Sequence, residues 1–169
     1  DYMDYIGVKV FEAGRVKGEL RIVGLFTSSA FTQSAERIPL IRVKVSDILK
    51  RAGFDAQSHS GKALLNILEN YPRTELFQAE TEVLHASAMA ILQLEERPRV
   101  RALARRDRFD RFVSVLVYVP RDRYTSDLRE RIGLALAKLY DGRVSAFFPD
   151  FSMTHLTRVQ FIIGRNPGE

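Results

Sequence analysis

Residues 111–165 restrict the fold more than any other stretch, because β-branched and aromatic runs alternate there with one helix in an order that few topologies accommodate. Residues 112–119 are almost wholly apolar and read as a strand that Pro120 stops. Thr125 or Ser126 is placed to cap a helix whose apolar residues Leu128, Ile132, Leu136 and Leu139 recur at helical spacing, and Gly142 is placed to close it. Residues 144–148 and 159–163 read as two further strands, separated by residues 149–157. Strand, helix, strand, strand matches the first four elements of a βαββαβ sandwich with an antiparallel sheet.

Upstream, residues 5–11 and 16–26 read as two strands joined by Glu12, Ala13, Gly14 and Arg15, the glycine supplying the positive φ of a tight turn. A two-stranded hairpin is only marginally stable alone, so this one calls for partner strands. Residues 28–37 read as a polar loop. Pro39 sits where a first-turn proline is tolerated, ahead of Ile41, Val45, Ile48, Leu49 and Ala52 at helical intervals, and Gly53 ends that helix. A shorter helix is expected over 60–70 with Leu64, Ile67 and Leu68 inward, stopped before Pro72. A third covers 81–94 with Leu84, Ala88, Ile91 and Leu92 inward. Residues 99–106 and 111–119 then form an antiparallel pair turning through 107–110, which sets an extra strand in front of the βαββ unit. That leading strand is expected to take the place at the sheet of the last strand of a full βαββαβ fold.

A chain of 169 residues can bury a sizeable core, as one domain or two small ones. The expected division is into residues 1–97 and 98–169. The chain starts without methionine, runs directly into strand-like sequence and ends in the turn-forming GRNPGE, so it reads as a piece of a longer protein. The absence of cysteine excludes a disulfide framework and Cys-based zinc or redox chemistry. No signal-peptide pattern is present and no apolar run approaches the ~20 residues of a spanning helix, so a soluble segment with no membrane partner is expected, and the lack of cysteine is compatible with the cytoplasmic location expected for it.

A dinucleotide site needs closely spaced glycines at a helix N-terminus, and none of the ten glycines forms a G-x-G. P-loop, H-E-x-x-H and G-x-S-x-G patterns are missing as well, so no residue is assigned to catalysis or to cofactor binding. His59, His85 and His155 show no paired spacing, so no metal ligand is assigned either. The Ser58-His59-Ser60 trio reads as helix capping.

The blocks VLVYVPRDRYTSDLRERI, GRVSAFFPDF and LTRVQFIIGR resemble the ACT-like regulatory region of the large bacterial NAD-dependent glutamate dehydrogenases. The upstream blocks IPLIRVKVSDILKRAGFDAQSHSGKALLNILENYPRTELFQ and LQLEERPRVRALARRDRFDRF are similar to the stretch that leads into that unit. The resemblance covers nearly the whole chain. It implies an α+β fold: an N-terminal hairpin and helical segment, PAS-type or helical, followed by an ACT-like, ferredoxin-like sandwich. It also implies a regulatory and assembly role within a parent that oxidises L-glutamate with NAD, in contact with the rest of that chain and with other protomers. No cofactor is expected in the segment itself, and NAD belongs to the parent.

Arg121, Arg123, Tyr124, Thr125 and Ser126, at the start of the central helix, form the candidate ligand contact. Unsatisfied N–H groups there favour an anion, two arginines could grip a carboxylate, and the tyrosine could form a wall. The ligand class that resemblance to effector-binding ACT domains implies is an amino acid. The loop departs from those domains in having no glycine, and a capped helix with solvated arginines explains the same residues. The formal charge of +5 is uneven, with Arg97, Arg99, Arg101, Arg105, Arg106, Arg108 and Arg111 crowded near one hairpin. Such a stripe predicts weak, salt-sensitive polyanion binding without sequence preference. The alternative function is an RNA-binding module of RRM topology carrying Phe112, Tyr118, Phe148 and Phe161 on its sheet. Neither GRVSAFF nor LTRVQFII has the glycine-and-aromatic order that base stacking requires, so specific nucleic-acid binding is not expected. Unpaired strand edges predict association, as a symmetric dimer.

Overall fold

A computed structural model describes residues 3–165; the turn-forming end at 166–169 lies outside the described residues. Strand β1 (Asp4–Glu12) and strand β2 (Arg15–Gly24) pair antiparallel through Ala13 and Gly14, whose φ angles of 47° and 75° make the two-residue turn that suits a hairpin's twist. Five helices follow: α1 (Ser28–Thr32), α2 (Ile41–Ala52), α3 (His59–Glu69), α4 (Arg73–Gln78) and α5 (Thr81–Glu96). Then come β3 (Arg101–Arg106), β4 (Phe112–Pro120), α6 (Ser126–Leu139), β5 (Gly142–Asp150) and β6 (Leu156–Arg165). The sheet order is β3-β4-β6-β5, antiparallel throughout, and β3 lies beside β4 as expected of the leading strand.

Helix α6 covers one face of this sheet. Val113, Val115, Val117, Val119, Val159, Phe161 and Ile163 point into a core closed by Leu136, Leu128 and Ile132. Leu139 does not belong to it: 70% of its surface is exposed, and Tyr140, which continues the i+4 series of 128, 132 and 136, packs there instead. The helix closes on Asp141, with φ at 47°, rather than on Gly142. Gly142 opens β5, where a Cβ would run into the backbone oxygen of Gly164. Gly133 lets the helix approach closely, since a Cβ there would lie 3.3 Å from both Phe161 and Val144.

The other face is covered by the helical segment. Leu116, Tyr118 and Leu156 of the sheet share one apolar cluster with Ile41, Val45 and Ile48 of α2, Leu64 and Leu68 of α3, Leu76 of α4, and Leu84, Ala88, Ile91 and Leu94 of α5. Strand β4 is therefore buried on both sides, which explains its unbroken apolar run. Leu92 lies at the margin of α5's buried face, and Leu94 takes the inward place.

Two further local expectations fail. Pro39 precedes α2 by two residues: Leu40, at φ 70° and ψ −53°, forms a γ-turn closed by the Ile41 N–H to Pro39 carbonyl bond of 2.9 Å, and the helix begins at Ile41. Residues 28–37 are not all loop, since α1 and a 3₁₀ turn (Ala35–Arg37) occupy most of them. The Glu69 carboxylate holds that turn by accepting from Ser34 Oγ at 2.6 Å and Ala35 N at 2.9 Å.

Candidate functional site

The polar chemistry concentrates where α3 and α4 meet the sheet. On β4 and β6, Ser114 and Gln160 lie on the helix-facing side by register, between otherwise apolar neighbours. Arg105 projects to the same side from β3 and meets Glu75 of α4: its Nε and Nη2 donate to the two carboxylate oxygens at 2.6 and 2.9 Å. Arg105 Nη2 also donates to Gln78 Oε1 at 2.8 Å, and Gln160 Nε2 donates to Ser114 Oγ at 3.1 Å and to Glu75 Oε1 at 3.5 Å. Glu75 is 4% exposed, so removing either partner of the pair would leave an unpaired buried charge at a cost of ~3–5 kcal/mol.

A second tie lies further along the seam. Arg158 of β6 donates to the Asn70 carbonyl at 2.6 Å and forms an ion pair with Asp150 of β5, which joins the C-terminal end of α3 to the sheet. Lys44 of α2 provides a third: its Nζ donates to the carbonyls of Leu76, Phe77 and Ala79 at 2.7–2.9 Å and so satisfies the end of the short α4. Burial lowers the Lys44 pKa from its ordinary value. Burial pushes the Tyr71 phenol up to about 12 and raises Tyr118 as well, so both stay neutral at physiological pH and neither serves as a base. The arrangement clamps two layers together and offers no activated nucleophile.

Sequence reasoning singled out none of Glu75, Gln160, Ser114 or Lys44. The signal it passed over is a polar residue within an apolar strand: Ser114 interrupts FVSVLVYV and Gln160 interrupts VQFII. Ser114 is 1% and Gln160 7% exposed, and each takes a hydrogen-bond partner from the other.

The candidate turn at 121–126 has a different task. Arg121 donates Nη1 to the carbonyls of Phe151 and Met153 at 3.3 and 3.2 Å, and its N–H bonds the His155 carbonyl at 2.9 Å. Tyr124 meets Phe151 edge-on with ring centres 5.5 Å apart. Thr125 caps α6, its Oγ1 accepting from Leu128 N at 3.1 Å, while Arg123 and Ser126 are exposed. The turn thus straps the β5–β6 loop to the start of α6. Among the described residues, no group of three His, Asp or Glu side chains gathers as a metal site would require.

The arginine stripe is less free than its sequence implies. Besides Arg105, Arg111 donates Nε and Nη2 to Asp107 at 2.8 and 3.1 Å, and Arg106 lies 3.5 Å from Asp110. Arg97, Arg99, Arg101 and Arg108 remain exposed. The RNA-binding alternative finds no support in this geometry: of its four aromatics Phe112 and Tyr118 are 4% and 1% exposed, Phe161 lies under α6, and Phe148 alone is open, at 54%, which leaves no pair of exposed rings on which bases could stack.

The hairpin shows the opposite of burial. Its register places Ile6 opposite Ile22 and Val8 opposite Leu20, with Val10 on the same face opposite Gly18. These five aliphatic side chains are between 43% and 57% exposed. The opposite face carries Lys9, Glu19 and Arg21 along its middle, with an Arg21–Glu19 ion pair at 3.2 Å, and the exposed pair Tyr5 and Val23 at its end. The hairpin is thus one amphipathic layer whose apolar side has no cover among the described residues.

Comparison with known proteins agrees with this architecture. Residues 38–97 match the family described as glutamate dehydrogenase, helical motif 1, and residues 101–169 match glutamate dehydrogenase, ACT2 domain. The chain is 40% identical over 167 residues to the NAD-specific glutamate dehydrogenase of Pseudomonas aeruginosa and 41% identical over 166 residues to that of Halomonas elongata, covering 98% of this chain in each case. It is 34% identical over 158 residues to the Mycobacterium tuberculosis protein of the same name, covering 94% of this chain. It spans about 10% of the length of each relative. With the helical motif running directly into the ACT2 domain, and with relatives matched from end to end of the sequence, the chain belongs to the NAD-specific glutamate dehydrogenase family.

Proposed function

We propose that this chain is a regulatory and assembly segment of an NAD-dependent glutamate dehydrogenase and is not catalytic by itself. The parent reaction is the oxidation of L-glutamate with NAD and water to 2-oxoglutarate, ammonia and NADH, carried out in the cytoplasm by parts of the protein outside these residues. The observation that carries the reading is the hairpin face of Ile6, Val8, Val10, Leu20 and Ile22, backed by charge and left open on a chain one-tenth the length of its relatives. An apolar sheet face of this kind is an interaction surface. Its partner is the remainder of the parent chain, and other protomers lie beyond it.

Residues 1–97 and 98–169 act in this reading as two modules joined by the Glu75–Arg105 seam. The strap at Arg121, Tyr124 and Thr125 fixes the corner of the ACT-like sheet, with Arg123 and Ser126 open to an amino-acid effector. The test of catalytic silence uses the purified chain with L-glutamate and NAD. Absorbance at the NADH band should stay at the buffer baseline, and NADH formation in proportion to added protein would overturn the proposal.

A further inference from the structure

The helices leave one corner of the sheet's second face uncovered. By register, Phe112, Ile162, Ala146 and Phe148 lie there side by side, past the polar row of Ser114 and Gln160. A cavity of about 390 Å³ opens over them. The chain leaving β2 closes its far side with Phe26 and Phe31, and Phe26 is fixed by stacking on Phe77 of α4, with ring centres 4.2 Å apart and planes 13° from parallel. Its volume lies within the range of small-molecule sites.

The polar lining decides what such a site accepts. Glu75 borders the cavity, but both its oxygens are taken by Arg105, so the pair presents no net charge. Gln160 is 7% exposed, and no described residue donates a hydrogen bond to its Oε1. Gln78 accepts from Arg105 through Oε1, and no described residue accepts from its Nε2. Both amides border the cavity, so the Gln160 oxygen and the Gln78 nitrogen are open to a ligand's hydrogen bonds. A free carboxylate or ammonium set against these apolar walls would meet no unpaired counter-charge in the lining.

From this geometry we infer a binding site for a small neutral molecule with a planar apolar body and a head that both donates and accepts hydrogen bonds, such as a primary carboxamide. Gln160 Oε1 receives the donor, Gln78 Nε2 supplies the acceptor's partner, and the aromatic walls hold the body. Zwitterionic amino acids are excluded by the same lining. The inference concerns binding alone and does not depend on the catalytic silence of the chain or on what covers the hairpin.

The test titrates benzamide into the isotopically labelled 169-residue chain and follows backbone amide shifts by NMR. The expected result is a saturable response at Ala146, Phe148, Gln160 and Ile162, with affinity on the order of millimolar for so small a ligand. Benzoate and L-phenylalanine should bind at least ~10-fold more weakly, since their charges are not matched. Gln160→Leu should weaken benzamide by about 10-fold, as loss of one buried hydrogen bond does. Ala146→Phe, which fills the cavity from its sheet side, should abolish the response in a spectrum that otherwise stays folded. No saturable shift at these residues, equal binding of benzoate, or undiminished binding to Ala146→Phe would each overturn the assignment.

Discussion

Asp107 shows how a single side chain fixes a turn that its sequence marks only as polar. The residue is 6% exposed and accepts from the backbone N–H groups of Phe109 and Arg111 and from the Arg111 guanidinium, which sets the β3–β4 connection and allows Asp110 its positive φ of 54°. Burial raises its pKa, and the Arg111 side-chain and backbone hydrogen bonds outweigh that effect, so the carboxyl sits below its ordinary value. A carboxylate whose folded pKa is depressed stabilises the fold above its unfolded pKa of ~3.9, and that contribution is lost as the pH falls through the folded value. Asp107→Asn should therefore melt below the parent at pH 7, and the two melting curves should converge as the pH drops below ~3.9. A difference that persists unchanged in acid would assign the effect to packing. At this scale the sequence was least legible: Glu75 and Arg105 meet across 30 residues, and no local pattern announces such a pair.

Helix α6 provides the corresponding lesson for elements. Its spacing identifies Leu128, Ile132 and Leu136 as the packed face, and the structure agrees; Leu139 fits the same spacing loosely but lies off the stripe that Tyr140 completes. Leu136→Ala should cost ~2–5 kcal/mol, as core truncations do, whereas Leu139→Ala should stay within ~0.5 kcal/mol. Urea melts of the two variants check this, and equal destabilisation would mean that the helix is rotated from the position described. Long amphipathic helices and apolar strands are legible because periodicity accumulates over many residues. The six residues of α4 carry too few turns for that. Its existence depends on Lys44 capping its carbonyls and on Leu76 entering the core, both contacts from outside the segment. Gly142 was misread for a related reason: its requirement is the approach of β6, a neighbour distant in sequence, and the helix end needed no glycine once Asp141 adopted the left-handed conformation.

The whole molecule divides into a well-buried body and a bare hairpin. Sheet, α6 and the helical segment bury β4 on both sides, while β1 and β2 form a separate two-stranded sheet with an open aliphatic face. A hairpin of this kind is marginal alone and gains its stability from whatever covers it. The central claim is that the remainder of the dehydrogenase supplies the cover, and hydrogen–deuterium exchange tests it most directly. Exchange is measured on this chain alone and on the intact parent enzyme containing the same residues. The account predicts that amides of β1 and β2 exchange rapidly in the isolated chain and become strongly protected in the parent, while those of β4 and β6 are protected alike in both. Equal, rapid exchange of the hairpin in both proteins would contradict it.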